Sequence, residues 1–150
     1  YTDIDLPYRV KDMKEMIGLL DEYDVVVGTR DQQYYSEIPE NRKKLSLQVQ
    51  KLNKALTGLP FSDTQAGLKG FNSRGKALFL KTKVKRFLFD LEFINLAYRD
   101  SNIRLTTTEI GLRKNIELSQ FNNSLLFREL WTYLKIIIEI NLNRIIQLFK

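Results

Sequence analysis

Asp24-Val25-Val26-Val27-Gly28-Thr29-Arg30 is the stretch on which the fold turns. Three consecutive β-branched residues closed by a glycine predict a strand buried on both faces, since a strand with one wet face alternates apolar and polar positions. Before it, Pro7 followed by Val10, Met13, Ile17 and Leu20 predicts a first helix with one apolar stripe. After it, the polar stretch 29–40 is long enough for a mobile functional loop. Leu45, Val49, Leu52 and Leu56 then recur at helical spacing from about Asn41, until Gly58 and Pro60 stop the helix. The segment from Asp63 to Phe71, with two glycines, reads as a loop feeding a short strand. Ser73 is placed to cap a helix reaching Leu80, and another helix spans Phe89 to Arg99. Ile103 to Leu112, with three threonines, predicts a further strand. Strands alternating with helices give an α/β class with a mainly parallel sheet.

The chain has 150 residues, which suits one domain with a substantial core, and contains neither Cys nor His. Disulfides, thiolate zinc sites, a cysteine nucleophile, the Ser-His-Asp triad and imidazole acid–base work are thereby excluded. What remains for chemistry is carboxylates, hydroxyls and cations, and for metals a hard, oxygen-preferring ion. The net charge of +6 is unevenly spread: residues 1–40 carry 10 acids against 4 basic side chains, and residues 41–89 carry 12 basic side chains against one acid, Asp63. A basic middle of this kind attracts an anion, whether nucleic acid, a phosphorylated small molecule or a lipid surface, and also fits an unliganded solvated face. The chain opens at Tyr1 as a strand end entering a loop, so it reads as a piece beginning inside a domain.

Residues 124–150 differ in pattern. Leu126, Leu130, Leu134, Ile137, Ile138, Ile145 and Phe149 predict a long amphipathic helix, with Trp131 and Tyr133 suited to a membrane–water interface. Arg128, Glu129, Lys135, Glu139 and Arg144 interrupt it, so no apolar run reaches the roughly 18–20 residues of a membrane span. The division expected is 1–123 for the α/β part and 124–150 for a helix lying on a membrane, on a partner or on its own core.

Two short motifs carry chemistry. Asp3-Ile4-Asp5 ends the first apparent strand, where residues two apart share a face and both carboxylates can meet one cation or one metal–diphosphate. A solvated turn would carry the same residues. Asp63-Thr64-Gln65-Ala66-Gly67-Leu68-Lys69 sets the lone acid of the basic stretch beside an amide, a glycine and a cation. Such a carboxylate suits a base or an orienting group, and equally a local turn cap.

Taken in order, Thr-Asp-Ile-Asp-Leu-Pro, Asp-Val-Val-Val-Gly-Thr-Arg, Asn-Arg-Lys-Lys-Leu-Ser, Asp-Thr-Gln-Ala-Gly-Leu-Lys-Gly-Phe and Phe-Leu-Phe-Asp-Leu-Glu resemble the second half of family 2 glycosyltransferases. Over residues 1 to about 112 the chain is most similar to the polyprenyl-phosphate (dolichyl-phosphate) mannosyl- and glucosyltransferases. The resemblance implies a partial GT-A (Rossmann-like) fold. It implies an inverting transfer of a hexose from a UDP- or GDP-sugar to a polyprenyl phosphate at the cytoplasmic face of a membrane, with Mg²⁺ or Mn²⁺ as cofactor. It assigns Asp3 and Asp5 to the metal and donor diphosphate, and Arg30, Arg42 and Ser46 to the acceptor phosphate. Asp63 and Gln65 fall near the sugar and the attacking oxygen. Arg113 stands in for a donor-phosphate arginine, in a block (Glu109-Ile110-Gly111-Leu112-Arg113) that lacks the family's proline, and Glu117-Leu118-Ser119 replaces its glycine-rich loop. The family's nucleotide-binding first half is not in this sequence. Two other classes fit the residues: an inactive, structural α/β fragment, and a nucleic-acid-binding module resting on the basic middle. The aromatics at helical core spacing, Phe89 and Phe93, argue against nucleic acid as partner.

Overall fold

A computed structural model describes residues 1–61, 63–84, 88–114, 131–138 and 140–142. The order of elements is α1 (Val10–Leu19), β1 (Val25–Arg30), α2 (Gln32–Ser36), α3 (Glu40–Thr57), β2 (Lys69–Phe71), α4 (Ser73–Phe79), α5 (Phe89–Arg99) and β3 (Leu105–Ile110), with further helical backbone at 131–138 and 140–142. The strands form one mixed sheet in the order β2-β1-β3. β1 is central, as its valines require. Val25 and Val27 enter one core with Leu78, Leu91, Phe93, Ile94, Tyr133, Ile136, Ile137 and Ile140, while Val26 enters a second core with Tyr8, Met16, Tyr34, Leu68, Ile110 and Leu112. Alternate residues of one strand thus serve opposite layers.

β1 pairs parallel with β3 and antiparallel with β2, so the described sheet is mixed where the sequence predicts a mainly parallel one. The reason lies in the return path. The loop after α3 stays at the end of the sheet from which β1 leaves: Asp63 accepts from the Arg30 backbone N–H at 2.9 Å, and Leu68 O accepts from Gly28 N at 3.0 Å. A chain re-entering from the end it left must run antiparallel. On the far side of β2, Tyr1 and Lys69 exchange both backbone bonds, at 2.6 and 3.0 Å, the signature of an antiparallel pair. Tyr1 therefore runs parallel to β1, and Asp3 and Asp5 follow it at the carboxyl ends of β1 and β3.

Helix ends follow local chemistry. Gly58 stops α3 in the left-handed region at φ 69°, and Asn72, one residue before the serine expected to cap α4, accepts from the backbone of Arg74 and Gly75. The stretch 29–40 is more ordered than a mobile loop: Asp31 caps α2 through Tyr34 N at 2.6 Å, and Tyr34 is buried.

Two helices bury only part of the apolar stripe their spacing predicts: Met13, Leu20 and Leu56 pack against the cores, and other members face outward. In α1, Val10 and Ile17 are 66% and 67% exposed, while Asp12 and Met16 are buried. Asp12 is drawn inward by two bonds, from Gly111 N at 2.8 Å and Arg9 Nε at 2.7 Å. In α3 the inward stripe is polar apart from Leu56, which packs against the first core. Ser46 and Gln50 meet the Tyr35 hydroxyl, Asn53 donates to Thr64 Oγ1 at 3.1 Å, and Thr57 is buried, while Leu47 and Leu52 are exposed. At 131–142 the inner face is Tyr133, Ile136, Ile137 and Ile140, and Trp131, Leu134, Ile138 and Leu142 point outward, so Leu134 and Ile138 do not share the core face with Ile137. Leu126, Leu130, Ile145 and Phe149, the boundary at 123/124 and the Glu117–Ser119 stretch lie outside the described residues. Among the described residues no helix is long and apolar enough to cross a membrane. Phe71, Phe79, Phe89 and Phe93 pack with one another at 5.2–6.0 Å between ring centroids, against the first core.

Candidate functional site

The carboxyl ends of parallel strands are where α/β sheets place their ligand sites, because loops and helix termini converge there. Here that edge collects Asp3, Asp5, Tyr8, Arg30, the loop from Asp63 to Leu68, and Arg113. Asp3-Ile4-Asp5-Leu6 makes a tight turn, closed by Leu6 N donating to Asp3 O at 3.0 Å. Leu6 sits at φ 47°, the only non-glycine residue with a positive φ among those described, and it precedes Pro7. A branched side chain in that region costs about 1–2 kcal/mol, strain of the kind that concentrates at binding sites.

The turn sets the Asp3 carboxylate against the backbone of Gly67; a Cβ there would overlap its oxygens. Tyr8, buried where β3's extension meets the start of α1, accepts from Gly67 N at 2.7 Å, beside the Asp3 carboxylate that packs on the same glycine. Burial, and next the neighbouring charge of Asp5, push the Asp3 carboxyl above the ordinary carboxylate range, against the pull of Lys69 and Tyr8. The two carboxylates of the Asp-x-Asp motif therefore sit close enough to repel.

Asp63 is buried and engaged by Arg30 in a fork: Nε at 2.8 Å to one oxygen and Nη2 at 2.6 Å to the other, with the Arg30 backbone N–H as a third donor. Burial works against the guanidinium charge, but the bonds and charge of Asp63 outweigh it and hold Arg30 above its ordinary value. The rings of Tyr34 and Tyr35 lie 5.4 and 5.8 Å from the guanidinium. Arg30 thus arrives paired with Asp63, an arrangement the sequence does not suggest. The fork uses two of the guanidinium's five N–H donors.

The remaining expected residues are less tightly gathered. Ser46 Oγ lies 3.4 Å from the Tyr35 hydroxyl, joining α3 to the ring beside Arg30, and Arg42 stands one turn earlier on α3. Arg113 is exposed and donates to Asp5 O at 3.0 Å, so it stands beside the acidic turn. Gln65 is half-buried; its Nε2 and the Thr2 hydroxyl are buried without a hydrogen-bond partner among the described residues. Orphaned donors of this kind cost about 1–3 kcal/mol each unless something completes them.

Residues whose inward roles the sequence does not indicate complete the site. Lys69 is wholly buried, its Nζ 3.2 Å from Asp90 Oδ2 and bonded to Ala66 O. Burial pushes its ammonium down, opposed by the charges of Asp63 and Asp3 and assisted by Arg30, and burial likewise pushes the Asp90 carboxyl up; the 3.2 Å contact between the two opposes both shifts and favours the ion pair. Tyr8 resembles any core tyrosine until its hydroxyl is located.

Among the described residues no group of three or more acidic side chains is placed to cage a metal by itself. Asp3 and Asp5 offer two carboxylates, and Mg²⁺-type ions are commonly held by one or two carboxylates plus substrate phosphates and water. The donor set fits a metal arriving with a diphosphate and does not fit a protein-only cage. No protein-family model matches the chain, and no curated protein or solved structure matches it.

Proposed function

We propose that this chain is the acceptor side of a GT-A glycosyltransferase that moves a hexose from a nucleotide sugar to a polyprenyl phosphate at a membrane surface. The observation that carries the reading is the meeting of the Asp-x-Asp turn with the Asp63–Lys69 loop: Asp3 lies on Gly67, and Asp63 four residues earlier holds Arg30. Two anionic substrates repel, and bringing them together needs cations between them. Arg30, Arg113 and the basic α3 supply them.

In this reading Asp3 and Asp5 hold the metal, which when bound offsets charge on the departing diphosphate. The acceptor phosphate oxygen attacks the anomeric carbon, the bond from that carbon to the diphosphate oxygen breaks, and the nucleoside diphosphate leaves with the electron pair. A phosphate nucleophile is ionised at neutral pH, so Asp63 has no proton to remove; with its Arg30 fork it orients the sugar and the attacking oxygen. Gln65 Nε2, in the same loop, is a donor with no acceptor among the described residues.

The membrane side of the proposal rests on α3. Its stretch carries Arg42, Lys43, Lys44, Lys51 and Lys54 against the single acid Glu40, and it exposes Leu47 and Leu52 while seating itself through polar residues. An amphipathic helix with basic residues around apolar ones suits an anionic lipid surface, worth about 1 kcal/mol per basic residue. The outward Trp131, Leu134, Ile138 and Leu142 suit the same surface.

The test is transfer of labelled hexose from UDP- or GDP-hexose to polyprenyl phosphate by the full-length protein. Asp63→Asn is expected to lower turnover by about a hundredfold or more, and chelation of divalent metal to abolish transfer until Mn²⁺ is restored. Transfer indifferent to both would contradict the assignment.

A further inference from the structure

The Ala66–Gly67 peptide unit is gripped at both ends. Its carbonyl accepts from the buried Lys69 ammonium, and its N–H donates to the Tyr8 hydroxyl at 2.7 Å. Lys69 is in turn held by Asp90, 3.2 Å away, and the Asp3 carboxylate packs against Gly67 itself. Asp90, Lys69, the 66–67 peptide and Tyr8 therefore form one continuous chain of polar contacts, running from α5 through the start of β2 to the glycine on which Asp3 rests. Each link polarises the next in the direction that strengthens it: a cation on the carbonyl makes the N–H a better donor to the tyrosine hydroxyl.

A methionine would fill the Lys69 position at lower desolvation cost, since a buried ion pair is commonly no more stabilising than apolar side chains of similar volume. Stability alone does not account for this lysine. Its placement does something an apolar residue cannot: it fixes one peptide plane at the position where Asp3 meets it.

We propose that Lys69, seated on Asp90, and Tyr8 are positioning residues that orient the Asp3 carboxylate through the Ala66–Gly67 peptide. The functional consequence rests on Asp3 being a ligand for a metal–diphosphate; the relay itself does not.

The experiment compares the wild-type protein with Tyr8→Phe, which removes only the hydroxyl, and with Lys69→Met/Asp90→Leu, which replaces the whole ion pair by apolar side chains so that no charge is left buried alone. Amide hydrogen exchange reads the relay without any metal. Gly67 N–H is expected to lose protection at least tenfold in both variants, while the β1 amides of Val26 and Val27 keep theirs. Mn²⁺ with inorganic pyrophosphate reads the consequence: affinity is expected to fall about tenfold in each variant, equivalent to about 1.4 kcal/mol, and by a similar factor, not a hundredfold, when the changes are combined, because they interrupt the same chain. Wild-type protection at Gly67 in Lys69→Met/Asp90→Leu overturns the proposal. So does loss of β1 protection in that variant, which would make the pair a determinant of the fold. Failure of wild-type protein to take up Mn²⁺ with pyrophosphate, with Gly67 responding as expected, would instead sink the metal-ligand reading of Asp3 and leave the relay standing.

Discussion

Gly67 has no side chain because Asp3 occupies the space one would need. Gly67→Ala therefore pushes on a movable carboxylate and not on backbone, so the fold is expected to lose less than about 1 kcal/mol. Asp3 leaves its position, however, and uptake of Mn²⁺ with pyrophosphate is expected to weaken about tenfold; titration beside a thermal melt separates the two effects. Asp24 at the opposite end of β1 is a structural counterpart. It is buried and accepts from Arg104 N at 2.8 Å and Asn72 Nδ2 at 2.9 Å, with Arg74 and Arg104 side chains nearby, and those bonds hold its carboxyl below the ordinary 3.8. A depressed carboxyl contributes stability that is present above its unfolded value and lost as the pH falls through the folded one. Asp24→Asn is expected to cost about 1–3 kcal/mol at neutral pH, with the gap to wild type closing below about pH 4; urea melts across pH check this, and a constant gap would contradict it. At this scale the sequence identified Asp3, Asp5 and Asp63 as the acids to watch, because a lone acid among lysines and a paired Asp-x-Asp are visible as patterns. The buried roles of Tyr8, Lys69 and Asp90 were not visible, since nothing in a linear pattern marks which tyrosine, lysine or aspartate is turned inward.

Helices α1 and α3 show where periodicity misleads. Both have apolar residues at helical spacing, and in both part of that stripe faces outward because polar bonds set the rotation: Asp12 to Gly111 N in α1, and Ser46, Gln50 and Asn53 to Tyr35 and Thr64 in α3. Apolar burial favours a face by area, whereas a buried hydrogen bond fixes it by direction. β1 and α5 were legible for the complementary reason: a triple-valine run and the Phe89–Arg99 pattern lie in contact with core on the faces their spacing indicates. Because Leu47 and Leu52 of α3 are exposed, Leu47→Glu/Leu52→Glu is expected to leave stability within about 0.5 kcal/mol while sharply reducing sedimentation with anionic phospholipid vesicles. Unchanged vesicle binding would remove α3 from the membrane contact. Asn72→Ala removes the α4 cap and is expected to cost about 1 kcal/mol in chemical denaturation.

Across the whole molecule, the site exists because four segments distant in sequence end at one edge of the sheet: the turn after Tyr1, the end of β1, the loop before β2 and the exit from β3. The mixed strand directions make this possible, since an antiparallel β2 brings its entering loop to the same edge at which β1 and β3 finish. The α/β class was readable from the alternation of elements; the antiparallel strand was not, because three residues of β2 carry no directional signal. The most direct test is nuclear magnetic resonance with Mn²⁺ and pyrophosphate added to the protein, since the paramagnetic ion broadens the amides nearest to it. Selective broadening of Ile4, Arg30 and Gly67 is expected, with Asn72 and Arg104 at the far end of β1 left sharp, and loss of the effect in Asp3→Ala. Broadening centred away from Gly67 and Arg30, or persisting undiminished in Asp3→Ala, would contradict it.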